Sequence, residues 1–259
     1  MWHISSVTIG ERTVLPDHLR QRLLTIVLCL PVVACARSGP LPLPENLVDL
    51  GSEQGQQLLL ASEARAAYTP LDTHFVTQRA DNFCGVASIV MVLNALRVPP
   101  PVRPGQESGL VFTQDGFLDE QAEAVLPRAV LDQRGMTLDE IGRLLALYPV
   151  EAEVRRASES SLQEFRAVAR DYLGKEGHFV IVNYLRRAIG QERGGHISPL
   201  AAYDAETDRF LVLDVARRKY PPAWVETGEL FAAMRARKAD GPTRGFVLVR
   251  RASTSRHSG

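Results

Sequence analysis

Four residues of this chain have the types and spacing that a cysteine enzyme requires. Cys84 stands where an apolar helix is predicted to begin, and Gln78 lies six positions before it. A thiol at a helix start meets unpaired N–H groups and the positive end of the helix dipole, which favour the reactive thiolate. The alternative is an inert core residue, because free cysteines are among the most buried residue types. The helix start and the following Gly85, which would let a substrate approach closely, favour the nucleophile.

A histidine and an aspartate downstream of Cys84 are predicted to lie on one hairpin. His196 begins a predicted strand, where a reactive side chain is often exposed, and Asp214 lies in the predicted partner strand. If Tyr203 faces Arg209 across the turn, His196 and Asp214 are same-face diagonal neighbours, about 7–8 Å apart. A register slip of one residue would place them on opposite faces. The alternative for Asp214 is a solvated carboxylate at a strand end.

These residues together predict acyl-transfer chemistry. Asp214 would accept a hydrogen bond from one imidazole nitrogen of His196, which leaves the other nitrogen to take the proton of the thiol. The amide of Gln78 would help to stabilise the oxyanion of a tetrahedral intermediate, although an ordinary solvated loop amide is the alternative. The order Gln, Cys-Gly, His, Asp favours papain-like cysteine chemistry.

The overall composition is that of a globular protein. Of the 259 residues, 45% are hydrophobic and 23% are charged, which leaves ample apolar side chains for a core. Thirty basic residues balance thirty acidic ones, so the net charge is zero. Without a basic excess, nucleic acid is not an expected partner.

Residues 1–35 are predicted to be an export signal rather than part of the fold. Arg20 and Arg22 precede the apolar run Leu23–Cys35, which is too short to span a bilayer, where about 20 residues are needed. The ending Val32-Val33-Ala34-Cys35 resembles the lipobox of bacterial lipoproteins, in which the cysteine carries lipid. A plain secretory signal with a chance cysteine is the alternative, and a start downstream of Met1 is left open. We predict a periplasmic lipoprotein anchored to the membrane at Cys35.

The cysteine count then restricts the chemistry of the mature domain. Cys29 would leave with the signal and Cys35 would carry lipid, so Cys84 would be the one remaining thiol. An internal disulfide and a cysteine-rich metal site are therefore not expected there.

Helices are predicted first along the chain and antiparallel strands last. The proline-rich residues 36–45 predict a stiff tether, residues 46–250 a catalytic domain and residues 251–259 a loose tail. The predicted helices lie over residues 52–61, 84–96, 137–146 and 161–173, with Asp81 or Asn82 as the cap of the second. The predicted strands lie over residues 178–184, 196–203, 210–215 and 245–249. This order predicts an α+β fold.

Three segments resemble the phytochelatin synthase family. They are Gln78 to Leu96, Gly190 to Pro199 and Asp214 to Trp224, the last containing Lys219-Tyr220-Pro221-Pro222. The resemblance extends from about Asn46 to Arg250 and is strongest to the short bacterial branch. It implies a papain-like fold in which a helical half carrying the cysteine packs on an antiparallel sheet carrying histidine and aspartate.

The resemblance also implies roles for particular residues. Cys84 would be the nucleophile, His196 the base, Asp214 the orienting residue and Gln78 the oxyanion donor. The charged ends of the substrate would meet three further residues, although solvated strand-end charge is the alternative for the arginines. These three are Asn183, Arg186 and Arg244.

The substrate implied by the resemblance is glutathione. The thiolate would cleave its Cys–Gly amide, release glycine and pass the γ-glutamylcysteinyl group to water or to a second glutathione, as in heavy-metal detoxification. No tightly bound cofactor is implied, and cadmium or zinc would enter as a metal–glutathione thiolate. We expect no cysteine-rich C-terminal domain of the plant kind, so hydrolysis would dominate. A peptidase or amidase on other periplasmic peptides, a non-catalytic thiol-metal binding lipoprotein and a homodimer are left open.

Overall fold

One antiparallel sheet, with helices packed on it, forms the part of the chain that the structure describes. The computed structural model describes residues 39–101, 111–192, 194–236 and 244–252. The predicted export signal with Cys35, and residues 253–259 of the predicted tail, lie outside the described residues. Within them, no helix is both long and apolar enough to cross a membrane.

The sheet of the described residues has seven strands in the order β1-β6-β5-β4-β3-β7-β2, and all neighbouring strands are antiparallel. The strands are β1 (Val48–Asp49), β2 (Val150–Arg156), β3 (His178–Leu185), β4 (Gly195–Asp204), β5 (Arg209–Val212), β6 (Ala223–Glu226) and β7 (Gly245–Arg251). The helices are α1 (Glu53–Ala61), α2 (Tyr68–Thr73), α3 (Cys84–Ala95), α4 (Gln114–Phe117), α5 (Glu120–Val125), α6 (Arg128–Arg134), α7 (Leu138–Leu145), α8 (Leu162–Leu173) and α9 (Thr227–Arg235). A 3₁₀ turn covers Arg186–Ile189. Helices packed on an antiparallel sheet confirm the α+β prediction.

Side-chain caps explain where several helices begin. The hydroxyl of Ser52 accepts the backbone N–H of Gly55 and starts α1. Thr137 and Ser161 each form a reciprocal capping box with the glutamate three residues later, which fixes the starts of α7 and α8. All three predicted helix starts are confirmed.

The helix that carries the cysteine is buried on every side. Residues Cys84 to Asn94 of α3 are buried, so this helix lies inside the core rather than on its surface. The predicted cap was wrong: α3 starts after Phe83, which makes no side-chain cap bond. Asn82 instead donates its side-chain N–H to the carbonyl oxygen of Asp132, at 2.6 Å. The first turn of α3 is therefore not covered by a capping side chain.

The β4–β5 hairpin contains a bulge that changes its register. Near the turn Tyr203 pairs with Phe210, so the predicted pairing of Tyr203 with Arg209 was wrong by one residue. The bulge at Ala201 adds one residue to β4, and Leu200 pairs with Val212 beyond it. From Leu200 back toward His196, the pairing of β4 therefore follows the predicted register again.

Both ends of the predicted catalytic domain extend further than the sequence suggested. In the predicted tether, the Leu41 N–H donates to the carbonyl oxygen of Lys219 at 2.8 Å, and Leu43 packs against the core. In the predicted tail, β7 continues to Arg251, and the Ala252 N–H donates to the Pro149 carbonyl oxygen at 3.2 Å. Hydrogen bonds and an apolar contact hold these residues on the domain, so the predicted tail is not loose at Arg251 and Ala252.

Candidate active site

Cys84 is the first residue of α3, at the point where the helix meets the sheet. The helix is fastened to β4 by Ser88, whose hydroxyl donates to the carbonyl oxygens of Cys84 at 2.8 Å and Ile197 at 3.2 Å. Cys84 is only 7% exposed. Its thiol is thereby fixed beside the start of β4 and close to His196.

The pKa of the Cys84 thiol lies below its ordinary value. Burial alone would raise this pKa, but a hydrogen bond with His196 and the charge of that ring lower it. A backbone hydrogen bond from Ile197 and the charge of Arg186 lower the pKa further. These effects favour the thiolate, which is the nucleophilic form of cysteine.

His196 lies on β4 between Cys84 and Asp214. Its Nε2 is 2.8 Å from Asp214 Oδ1, so the other ring nitrogen is the one available to the thiol. Burial lowers the pKa of His196 and the Arg186 charge also lowers it, but the Asp214 charge and hydrogen bonds to Asp214 and Cys84 raise it overall. A cysteine with a lowered pKa beside a histidine with a raised pKa favours a thiolate–imidazolium pair.

Asp214 reaches His196 because of the bulge in β4. The carboxylate lies just after the end of β5, where Leu213 N–H donates to the Pro199 carbonyl oxygen at 3.0 Å and extends the register beyond the bulge. Its Oδ1 also accepts the N–H of Ala216 at 2.9 Å. Burial raises the pKa of Asp214, but the charges and hydrogen bonds of His196 and Arg186 hold it well below its usual range. Asp214 is therefore a buried carboxylate rather than a solvated one.

Arg186 lies in this buried cluster, away from the position that the sequence suggested. Its guanidinium forms two hydrogen bonds with Asp214, at 2.7 and 2.9 Å, and a third with Gln191 Oε1 at 2.5 Å. The predicted contact between Arg186 and the substrate does not fit this arrangement, because both terminal nitrogens are already occupied. Solvated strand-end charge does not fit it either, because Arg186 is 3% exposed.

Asn183 lies on the strand beside His196, and Arg244 immediately precedes β7. Asn183 on β3 is buried and pairs with Ile197 of β4 and Gly245 of β7. Arg244 is half-buried, donates to the carbonyl oxygen of Ala236 at 2.7 Å, and has its pKa lowered by burial. A Cβ atom added to Gly195 would lie 3.5 Å from Arg244 Nη2, so the guanidinium covers the backbone next to His196.

Gln78 lies near the start of α3, but its amide bonds the loop that leads there. The side-chain N–H groups donate to the carbonyl oxygens of Ala80 at 2.9 Å and Asp81 at 3.0 Å. Among the described residues its Oε1 is buried without a hydrogen-bond partner. An oxyanion needs a donor, so Gln78 would have to turn its amide or lend an N–H from these loop bonds to serve as one.

Gly85 has a different role from the predicted one. A Cβ atom added there would lie 2.8 Å from the sulfur of Met136, which is closer than packed side chains approach. The missing side chain therefore makes room for Met136 rather than for a substrate backbone.

Ser198 and Tyr184 are site residues that the sequence did not identify. The Oγ of Ser198 is 2.9 Å from His196 Nε2 and accepts the backbone N–H of Val215 at 3.2 Å. The ring of Tyr184 packs edge-on against His196, with centroids 5.7 Å apart and planes at 86°. Ser198 lies two residues after His196 on β4, and Tyr184 lies directly opposite His196 on β3. Strand alternation was therefore the signal that could have found them.

Among the described residues, no group of three or more histidine, cysteine, aspartate or glutamate side chains could hold a metal ion. At Cys84 the structure brings together a nucleophile, a proton carrier and a carboxylate, which together suit attack on an acyl carbon.

Comparison with known proteins gives one consistent result. The family model described as phytochelatin synthase matches residues 39–246. Glutathione gamma-glutamylcysteinyltransferase 1 of Lotus japonicus is 34% identical over 208 residues, which cover 79% of this chain and 40% of the relative. The enzyme of the same name from Arabidopsis thaliana is 32% identical over 219 residues, covering 83% and 43%. Glutathione gamma-glutamylcysteinyltransferase of Schizosaccharomyces pombe is 29% identical over 213 residues, covering 80% and 50%. The chain spans half or less of the length of these relatives.

Proposed function

Because the chain belongs to the phytochelatin synthase family, we propose that it is an acyltransferase that cleaves glutathione at its Cys–Gly amide. The observation that carries the proposal is the buried line of Cys84, His196 and Asp214, with 2.8 Å between the ring and the carboxylate. We further propose that the fold is papain-like, since a helix that begins at the cysteine packs on an antiparallel sheet that holds the histidine.

In the first half of the proposed reaction, the Cys84 thiolate attacks the carbonyl carbon of the Cys–Gly amide. The negative charge that develops on the carbonyl oxygen would be stabilised by the backbone N–H of Cys84 at the uncapped start of α3 and by the amide of Gln78. His196 then gives its proton to the nitrogen of the departing glycine. The products are free glycine and a γ-glutamylcysteinyl thioester on Cys84.

In the second half, an acceptor attacks the thioester and restores the thiolate. His196 takes a proton from the attacking group, which is water or the amine of a second glutathione. Water gives γ-glutamylcysteine and glutathione gives a longer peptide. We propose that cadmium or zinc takes part as a metal–glutathione thiolate, and therefore as part of the substrate.

Asn183 and Arg244 are the proposed contacts for the polar ends of glutathione. Asn183 lies on β3, next to the strand of His196, and Arg244 covers the backbone at Gly195. A guanidinium is well suited to bind a carboxylate through two parallel hydrogen bonds. Arg186 is left out of this set because Asp214 and Gln191 occupy its terminal nitrogens.

Glycine release from glutathione tests the proposal directly. The purified full chain should release glycine, and Cys84→Ser should reduce the release to the background rate. Cys35→Ser is the matched control, since it replaces a cysteine outside the proposed site, and its rate should equal that of the unchanged protein. Equal release by Cys84→Ser and the unchanged protein would contradict the mechanism. Cleavage of ordinary peptides without preference for a γ-glutamyl group would indicate a peptidase, and glutathione binding without glycine release a binding protein.

We also propose that the protein is exported and anchored by a lipid on Cys35. The support is the apolar run before Cys35 and its lipobox-like ending. In bacterial cells the protein should be found with the membranes, and Cys35→Ser should move it to the soluble fraction. Membrane association that is unchanged in this variant would contradict the anchor.

A further inference from the structure

The buried cluster behind Cys84 contains one more charged residue than the catalytic chemistry accounts for. The Arg186–Asp214 pair is almost completely buried, with side-chain exposures of 4% and 3%. The Arg186 guanidinium also lies over the Tyr220 ring, 5.1 Å from its centroid, which is within range of a cation–π contact. Gln191 completes the enclosure from a third side. Contacts with Asp214, Tyr220 and Gln191 therefore fix the position of the Arg186 guanidinium.

The charges of the cluster balance only when Arg186 is counted. A thiolate at Cys84, an imidazolium at His196 and a carboxylate at Asp214 leave one excess negative charge. Isolated charges are costly in a protein interior, so an unbalanced cluster would favour protonation of the thiolate. The guanidinium supplies the missing positive charge and, unlike an imidazole, keeps it throughout the physiological pH range.

Arg186 and Asp214 act on the Cys84–His196 pair in opposite directions. The Arg186 charge lowers the pKa of both Cys84 and His196, whereas the Asp214 charge raises the pKa of His196. Tyr184 also faces the pair, but burial and the Asp214 charge raise its pKa, so its hydroxyl stays neutral. The Tyr220 ring faces Arg186. The net charge beside the pair is therefore set by Arg186 and Asp214.

We propose that Arg186 is a positioning residue that holds Asp214 behind His196 and supplies the counter-charge for the thiolate, imidazolium and carboxylate together. The inference rests on the proposed function only in taking Cys84 as the reactive thiol. It assigns Arg186 to the interior of the site instead of to the substrate.

The rate at which iodoacetamide alkylates Cys84 tests this proposal without glutathione. The full chain is alkylated across a series of pH values, and modification of the Cys84 peptide is followed by mass spectrometry. Arg186→Gln should move the rise in alkylation to higher pH, because it removes the positive charge. Asp214→Asn should also move the rise to higher pH, because it removes the carboxylate that raises the pKa of His196 and so weakens the imidazolium beside the thiolate.

Two further variants separate charge from structure. Arg186→Lys keeps the charge but loses the paired hydrogen bonds, so its alkylation profile should stay in place while glycine release falls, on the order of 10²-fold for a displaced catalytic group. Arg187→Gln removes a neighbouring exposed arginine and should change neither measurement. If Arg186→Gln does not fold, Arg186→Lys still tests the counter-charge, because a profile that moved in this variant would contradict it.

The outcomes distinguish this proposal from the proposed function. An alkylation profile that does not move in Arg186→Gln, or that moves as far in Arg186→Lys as in Arg186→Gln, would overturn the counter-charge. If the profile moves in Arg186→Gln and stays in place in Arg186→Lys while the unchanged protein releases no glycine, the counter-charge stands and the proposed function fails.

Discussion

Two Asp–Arg pairs, each joined by two hydrogen bonds, lie at the two ends of the β4–β5 hairpin. At the turn, Arg166 bonds both carboxylate oxygens of Asp208, at 2.8 and 2.6 Å. Beyond the end of β5, Arg186 bonds both oxygens of Asp214, at 2.7 and 2.9 Å. The first pair is about one third exposed, with side-chain values of 31% and 35%, while the second is almost completely buried. Both pairs are joined by two hydrogen bonds, and they differ strongly in their access to water.

Access to water decides what each pair does. Water and salt screen the Asp208–Arg166 pair, so its charges act over a short range and it serves to fasten the turn to α8. The buried Asp214–Arg186 pair lies in a medium of low dielectric constant, where each charge changes the protonation of its neighbours. An aspartate and an arginine therefore join the turn to α8 at one end of the hairpin, and at the other end they set the pKa of His196.

The largest expected difference between the two ends is in stability. Asp214→Ala leaves the guanidinium of Arg186 buried without its partner, and breaking such a pair costs about 3–5 kcal/mol. Asp208→Ala removes a partly exposed acceptor of Arg166 and Tyr203 and should cost about 2 kcal/mol or less. Urea unfolding of both variants at neutral pH measures the free energies. Similar losses for the two variants would show that burial does not separate the pairs.

The pH dependence of stability should differ in the same sense. The pKa of Asp214 is lower in the folded protein than its usual value, so its ionised form stabilises the fold above the ordinary carboxyl range, and this stability is lost as pH falls through and below that range. Asp214→Ala removes this titration, so its free energy of unfolding should fall less between neutral and acid pH than that of the unchanged protein. The pKa of Asp208 is also lowered, but the group is more exposed. Asp208→Ala should therefore stay close to the unchanged protein; equal flattening in both variants would contradict this assignment.

Local signals in the sequence predicted four of the nine helices and four of the seven strands of the described residues, together with Cys84, His196 and Asp214. Capping boxes at Thr137 and Ser161 act over three residues, so they could be recognised without knowledge of the fold. Strand composition and alternation likewise predicted β3, β4 and β7. Cys84, His196 and Asp214 were found by residue type and spacing, and the structure brings them together.

What the sequence could not supply depended on distant contacts. The bulge at Ala201 is set by how β4 packs against the chain on both sides, and no turn residue marks it. The prediction reached the correct pairing for Asp214 only because the bulge offset an error at the turn. The resemblance assigned Arg186 to the substrate. Nothing near Arg186 in the sequence indicates Asp214, which lies 28 residues away. Which distant residue a charged side chain pairs with can be decided only once the fold is known.

The smallest expected effect concerns one hydroxyl at the turn. Tyr203 donates to Asp208 Oδ1 at 2.9 Å, and burial together with this hydrogen bond raises the pKa of its phenol to about 12. Tyr203→Phe removes one hydrogen bond to a charged acceptor that Arg166 still pairs, so the free energy of unfolding should fall by about 1 kcal/mol. In a spectrophotometric titration the variant should lack a phenol that ionises late. Its alkylation profile at Cys84 should match that of the unchanged protein, because the screened pair at the turn does not act on the buried one. A shift of that profile in Tyr203→Phe would show that the two ends of the hairpin are electrostatically coupled.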